Sequence, residues 1–147
     1  MKKYIIKISL ALMLAACSQF SYAQCSKNFI LEASKTDFLD TAGRVTRSQD
    51  KPVDISLKDS VLTIKFGDNR DQVLSGKITK STCTYKTPFK EGKMVMMANL
   101  SNPAGIQQTA TLSFSSSAGI TTLNYTSLER PNIRIQLSAD KFEALKN

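Results

Sequence analysis

From Phe29 onward, apolar residues recur at every second position, in short runs separated by turn-forming residues, and this period constrains the fold more than any other feature of the chain. In an extended strand, successive side chains point to opposite faces, so a period of two gathers the apolar groups on one side. A helix would need them three and four apart. Phe29, Leu31 and Ala33 alternate with Ile30, Glu32 and Ser34 in a first strand. Val53, Ile55 and Leu57, followed by Leu62, Ile64 and Phe66, form the clearest hairpin. Met94, Met96, Ala98 and Leu100 share one face of a later strand; Ile106, Gln108, Ala110, Leu112 and Phe114 share one face of the next.

The punctuation agrees with the period. Asp40-Thr41-Ala42-Gly43, residues 67–71, Pro88 to Gly92, Asn102-Pro103-Ala104-Gly105 and Ser116 to Gly119 are turn sequences. Residues 44–51 are polar and fit either a weak strand or a loop. Leu123 and Tyr125 continue the pattern, and Ile133, Ile135 and Leu137 form the last alternating strand. Asp140 and Glu143 then have capping-box spacing and predict a short C-terminal helix carrying Phe142 and Leu145. The chain therefore predicts an all-β fold, an antiparallel up-and-down meander of about eight or nine strands closed into a barrel, with a β-sandwich as the alternative.

Residues 74–85 break the alternation. Leu74, Gly76 and Ile78 lie at even positions, Cys83 and Tyr85 at odd ones, so a straight strand would send the two groups to opposite faces. A bulge or sharp bend between Thr79 and Thr82 is expected, with Gly76 easing the curvature, so that Ile78 and Tyr85 both reach the core.

The N-terminal residues read as an export signal. Lys2, Lys3 and Lys7 flank an apolar run over residues 8–16, and Ser21-Tyr22-Ala23 is a small-residue exit. The run is shorter than the ~20 residues that span a bilayer. Cleavage after Ala23 leaves one domain, residues 24–147, while Leu14-Ala15-Ala16-Cys17 resembles a bacterial lipobox and offers lipid attachment at Cys17 as the alternative. A periplasmic or secreted protein is expected in the first case and an anchored lipoprotein in the second. Losing the three leader lysines lowers the net charge from +8 to +5, spread singly along the chain. Export and the absence of a basic cluster argue against nucleic acid as a partner. Cys25 and Cys83, the two cysteines of the mature domain, are expected to form a disulfide in an oxidising compartment.

Catalytic equipment is sparse. The chain has no histidine, which removes Ser-His-Asp and Cys-His constellations and His-based zinc sites. Ser48-Gln49-Asp50-Lys51 and Ser138-Ala139-Asp140-Lys141 have Ser-x-x-Lys spacing without its partner motifs. Glu32, Asp37 and Asp40 are acids close in sequence, but no spacing rule selects a glycosidase pair. Residues 68–71 offer oxygen ligands, with Val73 and Thr79 where a calcium loop needs glycine and glutamate. Met94-Val95-Met96-Met97 carries thioethers suited to a cuprous ion, yet Met94 and Met96 fall on the predicted core face. Asn124-Tyr125-Thr126 matches a glycosylation acceptor, a pattern that arises by chance. No cofactor or metal is expected.

The order of elements over residues 25–145 resembles the small secreted lipocalin-like (calycin) β-barrel proteins of bacteria. Phe29 stands near where their Gly-x-Trp signature lies, and the chain has no tryptophan, so no binding residue carries over. The resemblance implies a non-enzymatic exported binding module, a monomer, holding a small apolar or amphipathic ligand in the interior or mouth of the barrel. Phe66, Ile78, Tyr85, Met94, Met96 and Phe114 are its candidate ligand-facing or core residues. The alternative is an envelope interaction or inhibitor protein acting through its outer surface, and a carboxylate enzyme ranks third.

Overall fold

The structure, a computed structural model, describes residues 28–67 and 72–145. Eleven strands form one antiparallel sheet: β1 (Phe29–Ala33), β2 (Thr36–Leu39), β3 (Val45–Gln49), β4 (Val53–Lys58), β5 (Val61–Phe66), β6 (Val73–Cys83), β7 (Gly92–Ser101), β8 (Gln107–Ser117), β9 (Ile120–Ser127), β10 (Arg134–Ala139) and β11 (Lys141–Ala144). From β4 to β10 the strands neighbour one another in chain order. One sheet, curled into a barrel-like surface, replaces the sandwich alternative.

The count of eleven corrects the expected eight or nine, and its cause is local. Three long strands are interrupted: β1 and β2 by Ser34-Lys35, β3 and β4 by residues 50–52 with Pro52, and β10 and β11 by Asp140. Residues 29–39 nevertheless keep one register against residues 134–144, with Phe29 opposite Ala144 and Leu39 opposite Arg134. On its other side β1 pairs with β4, and β2 with β3. The N-terminal segment thus ties the first hairpin to the last strands, which leaves few backbone groups at open edges.

The C-terminal helix is also corrected. Residues 141–144 form β11, with Phe142 opposite Leu31. Asp140 does not cap a helix: its carboxylate accepts the N–H of Ser34 (2.6 Å), and its own N–H donates to the Glu32 carbonyl (2.8 Å). A ladder and a half-buried ring packed on the aromatic cluster outweigh the weak preference of six residues for a helical turn.

Core packing follows the alternation. Met94 lies opposite Phe114, Met96 opposite Leu112 and Ala98 opposite Ala110. Leu112 pairs onward with Tyr125, and Tyr125 with Ile135. All are buried, Leu112 and Phe114 at 0% exposure. Each large side chain so buried contributes about 1.5–3 kcal/mol. A surface that a water-sized sphere cannot touch faces no cavity, so the interior at these levels is filled by the chain itself.

The register shift in β6 lies between Ile78 and Lys80, leaving Thr79 as the extra residue. Ile78 then lies opposite Ala98 and Cys83 opposite Met94, both packing on the core side with Tyr85. The Thr79 hydroxyl donates to the Met97 carbonyl (3.2 Å), occupying an acceptor at the bulge. Gly76 does more than ease curvature: a Cβ there would run into the carbonyl oxygen of Asn99.

One end of the sheet is closed by residues 84–91. Phe89, at φ +59°, is held in the left-handed region that bulky residues avoid, and its ring meets Phe142 edge-on at 4.8 Å. Phe29 and Phe114 complete the cluster, each about 5.5 Å or less from Phe142. Such edge and stacked ring pairs add about 0.5–1.5 kcal/mol each beyond burial.

Candidate binding surface

The opposite end carries turns 40–44, 102–106 and 128–133, and with them Arg44, Arg47, Arg130 and Arg134, four of the five arginines in the chain. It also exposes Val45, Ile106, Leu128 and Ile133. This end therefore gathers cations and apolar tips that are scattered in sequence.

The 40–44 turn is organised by Asp40. One carboxylate oxygen accepts the N–H groups of Ala42 and Arg44 (both 2.9 Å), and the other accepts Arg44 Nε (2.8 Å). The Arg44 N–H, foremost among these contacts, holds the Asp40 carboxyl below its usual range. Gly43 takes φ +80°, so the turn closes without strain. On β2–β3, Arg47 stacks over the Phe38 ring at 4.2 Å.

Beside that turn runs a groove of about 290 Å³ on the outer side of β9, β10 and β2. Leu39 and Gly43 line one wall, and Asn124, Thr126, Arg134 and Gln136 contribute to the rest. The Gln136 amide donates to Asn124 Oδ1 (3.0 Å), which leaves the Gln136 oxygen and the Asn124 N–H groups open. Arg134 Nη1 donates to the Thr41 carbonyl (3.1 Å), while its Nε is buried without a partner. Among the described residues no carboxylate lies within ion-pair distance of Arg134; Asp40, which pairs with Arg44 at 2.8 Å, feels the Arg134 charge only at longer range.

Two buried or bridging groups stiffen the same end. Tyr125 is 7% exposed, and its hydroxyl accepts the Gln108 amide (3.0 Å); burial, then the nearby Glu129 charge, raises its pKa. Glu129 accepts the Thr109 N–H at 2.8 and 2.9 Å and the Ser127 hydroxyl at 2.9 Å, and the Thr109 N–H is the leading cause of its lowered pKa. A second depression, about 220 Å³, lies at the β6 bulge between Lys80, Thr82, Val95 and Met97.

Most residues singled out from sequence sit elsewhere; Asp40 and the Asn124-Tyr125-Thr126 tripeptide are the exceptions. Met94, Met96 and Phe114 are buried core; Phe66, Ile78 and Tyr85 are half-buried against it. Burial is also the main cause of a raised Tyr85 pKa. Cys83 lies half-buried opposite Met94, whereas Cys25 and Cys17, the expected leader at residues 1–23 and the turn expected at residues 68–71 lie outside the described residues. The three acids are not brought together as a pair: Glu32 faces Lys141 (3.5 Å), Asp37 faces Lys35 (3.6 Å) and Asp40 holds Arg44. Sequence reasoning assigned no binding role to Asn124, Thr126, Arg134 and Gln136. They alternate with the core residues Leu123, Tyr125, Ile135 and Leu137, so their outward facing was legible, but their union with Leu39 and Gly43 was not.

No known protein-family model matches this chain, and a search of curated proteins finds no match either. Among the described residues no helix is long and apolar enough to cross a membrane.

Proposed function

We propose that this chain is an exported, non-enzymatic binding module whose working face is its outer surface, at the end that carries the arginines, and that its partner is a component of the bacterial envelope. The observation that carries this reading is the filled interior: Met96, Leu100, Leu112, Phe114 and Leu123 are each at 1% exposure or less. A small apolar ligand held inside, as in a lipocalin-like barrel, would have to displace side chains packed at crystal-like density. The outer end instead offers a preformed groove and the Arg134 guanidinium, which has no ion-pair partner among the described residues, a combination that anionic partners recognise. The absence of histidine and the separate pairing of Glu32, Asp37 and Asp40 support binding rather than catalysis. The expected disulfide from Cys83 to Cys25 and the leader at residues 1–23 belong to the same reading, since an exported domain matures in an oxidising compartment.

Native mass spectrometry of the purified mature domain, followed by titration with fractionated envelope material, tests it. The expected result is a mass equal to the chain alone, with binding to one envelope fraction. A small apolar molecule that co-purifies stoichiometrically and leaves only on unfolding would return the reading to an interior ligand.

A further inference from the structure

Resting on that outer-surface reading, the geometry points to a ligand class for the groove beside the 40–44 turn: a saccharide bearing a carboxylate, such as a uronate, with its carboxylate on Arg134.

Arg134 is half-buried, and only one contact holds its guanidinium, the Nη1 bond to the Thr41 carbonyl at 3.1 Å. A planar fork with donors to spare is suited to a carboxylate, which can accept two parallel N–H bonds. Its Nε is buried with no partner and faces away from the groove opening, so an incoming carboxylate would be met by the Nη donors that the Thr41 carbonyl leaves open. The neighbouring carboxylate that could have served, Asp40, is withdrawn by Arg44 and by two turn N–H groups. No carboxylate of the described residues forms an ion pair with Arg134, which leaves its open Nη donors to a carboxylate brought by a ligand.

Around this cation the groove is neutral. Asn124 and Gln136, locked to each other at 3.0 Å, each keep donors or acceptors open, and Thr126 adds a hydroxyl. Amides and hydroxyls that both donate and accept match sugar hydroxyl groups, which do the same. Leu39 gives one wall an apolar surface for the C–H face of a ring. The volume, about 290 Å³, lies at the lower end of ligand sites and fits one or two sugar rings. An acidic peptide would match less well, since it offers few hydroxyl groups to the amides of Asn124 and Gln136 and the hydroxyl of Thr126.

Titrating the mature domain with oligogalacturonate, neutral galactose oligomers and polyglutamate, monitored by amide shifts and calorimetry, tests the assignment. Oligogalacturonate is expected to bind, to shift the Gly43 amide and the Asn124 and Gln136 side-chain amides, and to weaken roughly ten- to a hundredfold in Arg134→Gln. Asn124→Ala, which keeps the Arg134–Thr41 contact, is expected to weaken it several-fold at unchanged melting temperature. Equal binding of neutral and acidic oligomers, or binding indifferent to both variants, overturns the assignment. Polyglutamate binding as tightly as oligogalacturonate would overturn the saccharide class. Envelope material bound equally by wild type and Arg134→Gln, with no response to oligogalacturonate, would sink the groove assignment and leave the outer-surface reading standing; no envelope binding at all would sink both.

Discussion

Glu129 shows how one exposed side chain fastens two loops. Its carboxylate accepts the Thr109 N–H and the Ser127 hydroxyl, which joins the start of β8 to the end of β9. Its folded pKa is lowered from 4.5, so the stabilisation is fully present above that value and fades as pH falls through the lower folded value. Unfolding midpoints in urea should therefore separate wild type from Glu129→Gln at pH 7 and converge toward pH 3. A gap that stays constant with pH would refute the linkage. The 58–61 turn offers a different residue-level test. Asp59 and Ser60 sit at φ +51° and +67°, the two left-handed positions of a type I′ hairpin turn, where glycine is preferred at the second. Both side chains are exposed. Ser60→Gly should raise stability by about 0.5 kcal/mol, read as a higher urea midpoint at constant slope.

At the scale of elements, the alternation identified β1, β4, β5, β7, β8, β9 and β10 and most of the faces they bury, because a period of two is a property of each segment alone; Ile106 and Ile133, which it placed on two of those faces, lie exposed just before β8 and β10. The need for a shift in β6 was legible for the same reason, since even and odd apolar positions in one strand require an extra residue between them; it falls at Thr79, between Ile78 and Lys80, at the leading edge of the expected 79–82 interval. β11 was not legible. Six residues with Asp140 and Glu143 at capping spacing resemble a helix start until β1 supplies a free edge and the ring cluster supplies a place for Phe142. Phe142→Ala should cost about 2–3 kcal/mol, somewhat less than a fully buried ring, and speed hydrogen exchange in β11 more than in β10. Unchanged exchange across residues 141–144 would show that the ring does not hold the strand.

At the scale of the molecule, apolar residues filled the inside and left the chemistry to the ends. One end is sealed by the 84–91 loop and its aromatic cluster, and the other gathers four arginines around preformed turns. Alternation, turn chemistry and φ preferences act over a few residues, so the all-β class, most of the turns, the apolar side of most strands and the need for a bulge in β6 are written in the chain itself. Only the tertiary structure decided where the long strands break, that residues 141–144 extend the sheet, and that Leu39 and Gly43 meet Asn124 and Arg134 across some ninety residues of chain. Those outcomes depend on which backbone edge is open to which strand, and hydrogen bonds and ring contacts between distant segments leave no periodic mark in either one.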